Sequence, residues 1–260
     1  NKVNFSKTNF STKKTSNYLI NLLNTGWILS RINNIEIVFK VGESCPKYLP
    51  AHGHSDLLSF DLFNKGTPLI VETGTSIYGN NTKRYYERSG AAHNVLQLAP
   101  FKKNNKGLVD WIESVEVWGN FRAARKSRIL EQVGMIFKDG TIFMKGSNDS
   151  NRSYGAKHTR TIKLKEINSK DVLFEVEDEI NCIKKMYWRQ LWHLGPNQPL
   201  ELIMPMISEL RKKFVFEEKF FDTWIAKEFG KTEKRKSLQL FGIIEPGLHT
   251  FNNKIVIKNS

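Results

Sequence analysis

Residues 26–41 read Gly26-Trp27-Ile28-Leu29-Ser30-Arg31-Ile32-Asn33-Asn34-Ile35-Glu36-Ile37-Val38-Phe39-Lys40-Val41. Two apolar-rich runs of strand length flank Asn33-Asn34, and Asn tolerates the positive φ that a two-residue hairpin turn needs. The stretch therefore predicts a β-hairpin. Working outward, residues 57–63 and 67–72 flank Asn64-Lys65-Gly66, a Gly-containing connection suited to a second hairpin. Runs rich in Ile, Val, Phe and Trp follow at 93–98, 114–118, 129–137, 141–145, 158–164, 172–180, 186–194, 238–244 and 254–258, separated by Gly, Asn, Asp and Lys. So many short strands, with few long amphipathic stretches between them, predict an all-β fold, an antiparallel β-sandwich.

Helix is expected only at 18–23 and 206–213, and Lys231-Thr232-Glu233-Lys234-Arg235-Lys236 reads as an exposed turn. Residues 1–16 are almost all small polar or cationic, so burial cannot offset their ordering entropy and they read as a polar linker. That leaves 17–260 as the folded domain. No internal repeat is evident.

The chain of 260 residues is 40% hydrophobic, enough to bury a substantial core, which excludes a disordered tail. No run approaches the roughly 18 apolar residues of a membrane-spanning helix, and the first residues lack the apolar segment of a signal peptide. Two cysteines, Cys45 and Cys182, are too few for a disulfide framework. A formal charge of +14 favours polyanionic partners, with a solvated basic surface as the plain alternative. Nucleic-acid binding has only this charge behind it, since no recognition motif appears.

The chemistry-bearing residues are His52, His54, Glu72 and His93, in Ala51-His52-Gly53-His54-Ser55-Asp56, Val71-Glu72-Thr73 and Ala92-His93-Asn94. On an extended segment, side chains at i and i+2 share a face with α-carbons roughly 6.5–7 Å apart. The second hairpin brings Glu72 back toward Asp56. Two imidazoles and a carboxylate with an open position suit a divalent metal, Zn²⁺ favoured; satisfied core or loop histidines are the structural alternative. His158 and His193 lie in strand-like text, where an imidazole bonded to backbone is expected. Asp56 is expected to accept backbone N–H groups where the chain turns. Arg84, Tyr85, Tyr86 and Arg88 form an aromatic and basic cluster suited to a sugar carboxylate, or else a plain surface loop.

Gly-His-Ser-Asp-Leu-Leu-Ser-Phe (53–60), Asn-Lys-Gly-Thr-Pro-Leu-Ile-Val-Glu-Thr-Gly-Thr (64–75) and Arg-Ser-Gly-Ala-Ala-His-Asn-Val (88–95) stand in an order that closely resembles the heparinase II/III family of polysaccharide lyases. In that family a helical (α/α) toroid precedes a C-terminal β-sandwich, and the lyase site lies between them. The resemblance implies that this chain is the sandwich, without the toroid. It implies a catalytic role for His52, a metal held by His54, Glu72 and His93, and sugar-binding roles for Arg84, Tyr86 and Arg88. Glu72 falls where most members have Asp, one methylene shorter. The implied reaction is β-elimination on a uronic-acid glycan, in a periplasmic or secreted setting, with a toroid as partner.

Two other readings were open on the residues. A non-catalytic glycan-binding or scaffold module would use the metal structurally. In a cupin-like metalloenzyme, Glu would follow the HxH within about five residues, but Leu58 and Ser59 occupy those places.

Overall fold

The computed structural model describes residues 17–46, 48–119, 121–125 and 127–258; the linker expected at 1–16 lies outside them. Sixteen strands are described: β1 (Tyr18–Leu22), β2 (Trp27–Ile32), β3 (Ile35–Lys40), β4 (Phe60–Asn64), β5 (Thr67–Ile70), β6 (Leu96–Pro100), β7 (Val115–Val117), β8 (Ala123–Arg125), β9 (Ile129–Ile136), β10 (Ile142–Asn148), β11 (Ala156–Glu166), β12 (Asp171–Cys182), β13 (Met186–His193), β14 (Phe216–Glu228), β15 (Lys231–Ile244) and β16 (Gly247–Lys258). Two α-helices, α1 (Thr82–Arg88) and α2 (Met204–Arg211), interrupt them.

The first five strands form an antiparallel meander, β1-β2-β3-β4-β5. Its two tight turns are those the sequence predicts. Asn33 takes φ 54° between β2 and β3, and Lys65 and Gly66 take 51° and 73° between β4 and β5, the paired positive φ of a two-residue hairpin turn. A second sheet runs β16-β12-β11-β10-β9, and a third runs β14-β15-β13-β6. Val71 N donates to His193 O and Gly195 N to Leu69 O, so the first and third sheets join edge to edge.

The second sheet faces this joined layer. Phe60 of β4 meets Phe174 of β12 at 5.5 Å and Trp192 of β13 at 5.9 Å, while Trp188 meets Phe251 of β16 at 4.6 Å between ring centres. These large rings are fully buried, so one continuous apolar core holds both layers. The predicted β-sandwich is what forms.

Three local expectations are corrected. Residues 18–22 are a strand, paired along its length with β2, instead of a helix. The loop before His93 contains α1, whose Asn81 cap accepts a bond from Arg84 N at 2.8 Å. Residues 231–236 are the first half of β15, not an exposed turn, and their partner β14 was not predicted. That hairpin alternates charged residues paired across it, including Lys236 with Asp222 and Lys227 with Glu233. The helix expected at 206–213 is present as α2, which packs Met206, Ile207 and Leu210 inward.

One close approach joins the start of β2 to the end of β3. Val41 N and Gly42 N both donate to Gly26 O, at 2.9 and 2.8 Å. A Cβ at Gly42 would lie 2.3 Å from Gly26 Cα, so both positions must lack one.

Candidate functional site

His52 and His54 reach the site by different routes. His52 ends a short 3-10 turn (Pro50–His52), and Gly53 then turns extended. The pair is thus not carried on one extended face as the spacing suggested. His52 is exposed, with its ring 5.2 Å from Phe121 and 6.3 Å from Tyr78. His54 turns inward, and its ring centre lies 5.5 Å from that of His93.

His93 follows a 3-10 turn (Gly90–Ala92) that directs it into the interior, where it is buried. Its Nδ1 is hydrogen-bonded to Glu72 Oε2, and Glu72 Oε1 accepts Asn94 N at 2.7 Å. The backbone N–H of Glu72 in turn donates to Asp61 Oδ1 at 2.7 Å. Hairpin closure between β4 and β5 therefore places Glu72 beside the histidines. This is the juxtaposition the sequence implied.

Arg84 Nη1 sits 3.5 Å from His54 Nε2 and donates to Thr75 Oγ1 at 3.1 Å. Because a guanidinium can only donate, its contact with His54 requires that nitrogen unprotonated. Burial and the neighbouring His93 pull the His54 pKa down to about 3, which agrees. For His93, burial is outweighed by the Glu72 carboxylate, which raises its pKa. Asp61 is pushed up to about 7 by burial and the charge of Glu72.

Asp56 departs from expectation. Its side chain pairs with Lys40 Nζ at 2.5 Å, and this ion pair overcomes burial to hold the carboxyl below its usual range. The other two residues of the predicted sugar-binding set are also displaced. Arg88 is fully buried and donates to the carbonyls of Gly53, Gly119 and Ala51 at 3.0, 3.0 and 3.2 Å, so it buttresses the His52–His54 loop from behind. Tyr86 lays its ring 4.9 Å from Trp224, and burial raises its phenol. Of Arg84, Tyr86 and Arg88, only Arg84 faces the histidines.

Several buried residues that spacing did not reveal fix this geometry. Asn94 donates to Phe60 O at 3.1 Å and accepts His193 N at 2.7 Å. Arg235 donates to the carbonyls of Val71 and Glu72 and to Thr73 Oγ1, at 2.5, 3.2 and 2.6 Å. Of the remaining histidines, His158 bonds the Asp178 carboxylate at 2.7 Å, His193 bonds Ser237 Oγ at 2.8 Å, and His249 bonds the backbone carbonyl of Glu245 at 2.7 Å. Cys45 and Cys182 are buried and not joined in a disulfide.

As donors, the residues fit a divalent ion in kind. His54 is neutral, His93 Nε2 is buried without a hydrogen-bond partner, and Glu72 orients the His93 ring in the manner of a carboxylate–imidazole pair. As the side chains stand, no three His, Cys, Asp or Glu among the described residues form a metal-holding group, because Glu72 closes on His93 and Asn94. Among the described residues no helix is long and apolar enough to cross a membrane.

The family model for the heparinase II/III-like C-terminal domain matches residues 14–249. No curated protein sequence matches the chain. Among solved structures, heparan sulfate lyase HepC from Pedobacter heparinus shares the fold with a TM-score of 0.62 at 15% identity, over 92% of this chain and 36% of that one. A heparinase III structure superposes with a TM-score of 0.59 at 14% identity, over 90% of this chain and 36% of the other. The chain thus spans about a third of the length of these lyases. With its motifs in order, its sandwich topology and a family match across most of its length, the chain belongs to the heparinase II/III-like family, as the family's C-terminal β-sandwich domain.

Proposed function

We propose that this chain is the β-sandwich half of a polysaccharide lyase that cleaves a uronic-acid glycan by β-elimination. The observation that carries the reading is the placement of one exposed histidine, His52, beside a group made of half-buried His54 and Glu72 and buried His93 and Arg84. The solved structures that share its fold include enzymes described as heparan sulfate lyases, which supports an acidic glycan as substrate.

β-Elimination takes the C5 proton of the uronate and breaks the bond from C4 to the linking oxygen. A C4=C5 double bond forms, and the leaving oxygen receives a proton. The reaction needs a base, a group that neutralises the carboxylate, and an acid. In this reading His52 exchanges the proton, because an imidazole can both accept and donate one and this ring is open to solvent. Arg84, against His54 and over the Tyr78 ring, supplies fixed positive charge. The remaining acid and carboxylate-neutralising groups belong to an α/α toroid, in the same protein or a partner.

We assign His54, Glu72 and His93 to a divalent ion, zinc favoured, whose bound charge would fix the loop and raise the positive potential facing the glycan. His54 and His93 would offer ring nitrogens and Glu72 its carboxylate. A periplasmic or secreted location accords with degradation of such a polymer.

The test joins the chain to a heparinase-type toroid and follows far-ultraviolet absorbance of unsaturated uronate across heparan sulfate, other glycosaminoglycans and alginate. Activity on at least one, lost in His52→Ala, is expected. Glycan binding without unsaturated product would instead make the domain a binding module. Unchanged turnover in His52→Ala would remove that residue from the mechanism.

A further inference from the structure

Three aromatic rings from three separate connections meet beside His52. Tyr78 comes from the segment after Glu72, Phe121 from the connection between β7 and β8, and Phe229 from the tip of the β14–β15 hairpin. Tyr78 lies 5.2 Å from Phe121 and 5.0 Å from Phe229 between ring centres, and Phe121 lies 5.2 Å from His52. Their exposures are 44, 43 and 61%, high for large apolar side chains that already touch one another. Interplanar angles of 54 and 44° splay the rings, so each keeps an edge or part of a face toward solvent.

The cluster is held in place from beneath. Ala226 N donates to Thr73 O at 2.7 Å and Gly230 N to Ser76 O at 2.9 Å, pinning the hairpin tip to the segment that carries Tyr78. Fully buried Glu87 accepts Ser76 N at 3.1 Å and Trp224 Nε1 at 3.2 Å, tying the same segment to α1 and β14. The Arg84 guanidinium lies 5.2 Å from the Tyr78 ring centre, in cation–π contact. An apolar face with a cation and an imidazole at its margin is therefore built in advance of any ligand.

We propose that Tyr78, Phe121 and Phe229 form a sugar-stacking wall that lays a pyranose ring of the glycan against the exposed His52. A pyranose presents C–H groups on its faces and hydroxyls at its rim. The C–H faces match the negative faces of aromatic rings, and the rim stays hydrated where the wall is open. The occupant is a sugar ring because every large side chain in the wall is aromatic and His52 is edge-on to it. The inference rests on the lyase reading above and deepens it by naming the surface that seats the substrate. None of the three residues was singled out by sequence spacing.

The experiment measures binding of a heparan sulfate hexasaccharide and an oligogalacturonate to the chain by calorimetry. Saturation-transfer NMR on the same samples reports which sugar protons approach aromatic side chains. Phe229→Ala and Phe121→Ala are each expected to weaken binding about three- to ten-fold. Both variants should keep the wild-type melting temperature and lose transfer to sugar C–H protons, and Phe229→Tyr should restore both signals. Wild-type affinity and unchanged transfer in the two alanine variants would overturn the wall while leaving the lyase reading intact. No binding of either glycan by the wild-type chain, with or without a toroid domain, would overturn both. If Phe229→Ala leaves sugar binding intact but weakens association with the toroid, the rings are a protein-docking seat and the proposal fails.

Discussion

Arg160 and Asp178 are joined by two hydrogen bonds, Nε to Oδ1 at 2.8 Å and Nη2 to Oδ2 at 2.9 Å, with both side chains sealed from solvent. The carboxylate also accepts His158 Nε2 at 2.7 Å and Gln190 Nε2 at 2.9 Å, so its acceptor sites are filled. Arg160 Nη1 reaches the other way, to Leu58 O at 2.7 Å and Asn94 O at 2.6 Å. One guanidinium thereby ties the chain following His54 to the chain following His93. Leu58 has φ 61°, a costly region for a residue with a branched side chain, and the bond from Arg160 helps hold it there.

Asp178→Asn is expected to destabilise the fold by about 3–5 kcal/mol, because Arg160 would be left buried without its counter-charge. The pH dependence follows from the sign of the shift. Burial alone would raise the Asp178 pKa, but Arg160 outweighs it and holds the folded value below the usual carboxylate range. The stabilisation is therefore fully present above the unfolded pKa of about 3.9 and is lost as pH falls through the folded value. Urea unfolding between pH 7 and pH 2 should show a steeper acid loss in wild type than in Asp178→Asn. Parallel curves would show that another carboxylate governs acid unfolding.

This centre also explains what the sequence could and could not disclose. The hairpins around Asn33 and around Lys65 and Gly66 were legible because turn and apolar alternation are local signals. Residues 18–22 were not, since a five-residue apolar run fits helix or strand until a partner such as β2 is known. In β14 and β15 the alternation is written in cross-strand charges, which resemble a solvated turn. Likewise, His52, His54, Glu72 and His93 stand out by spacing. The residues that hold them do not, because Arg160 is 102 positions from Leu58 and Arg235 is 163 from Glu72. Arg88 was misread because its charge suggested a surface role, while its donors answer loop carbonyls.

Gly42→Ala should destabilise by about 1–3 kcal/mol, the usual cost of overpacking. The atom its new methyl would meet, Gly26 Cα at 2.3 Å, is backbone and has no rotamer to change. Gly119→Ala is the control, as its methyl would meet only Asn80 Oδ1 at 3.6 Å. Chemical denaturation compares the two. Equal stability would mean that the Gly26–Gly42 contact relaxes freely.

Metal removal separates the roles assigned to the histidines. If His54 holds an ion with Glu72 and His93, binding contributes to folding free energy, by about 2.7 kcal/mol at a hundredfold excess over Kd. Zinc should raise the melting temperature of wild type and of His52→Ala alike, and a chelator should reverse both shifts. His54→Ala should lose most of the response. Equal zinc shifts in the two variants, or no shift in wild type, would contradict the ligand assignment.

The proposed reaction also predicts how little the 260 residues should do unaided. His52 offers one proton-transfer group and Arg84 one fixed positive charge, but β-elimination needs an acid and a base placed on the same sugar with the carboxylate neutralised. The chain covers 36% of the length of heparan sulfate lyase HepC, whose fold it shares, and the rings it sets around His52 are those of Tyr78 and Phe121. Correct placement of reacting groups lowers barriers by roughly 7–11 kcal/mol, so half of a site forfeits most of the rate. The chain alone should bind acidic oligosaccharide yet release unsaturated product at or near background, and adding the toroid should raise kcat far more than it lowers KM. Strong turnover by the isolated chain, retained in His52→Ala, would place the chemistry on residues other than those assigned here.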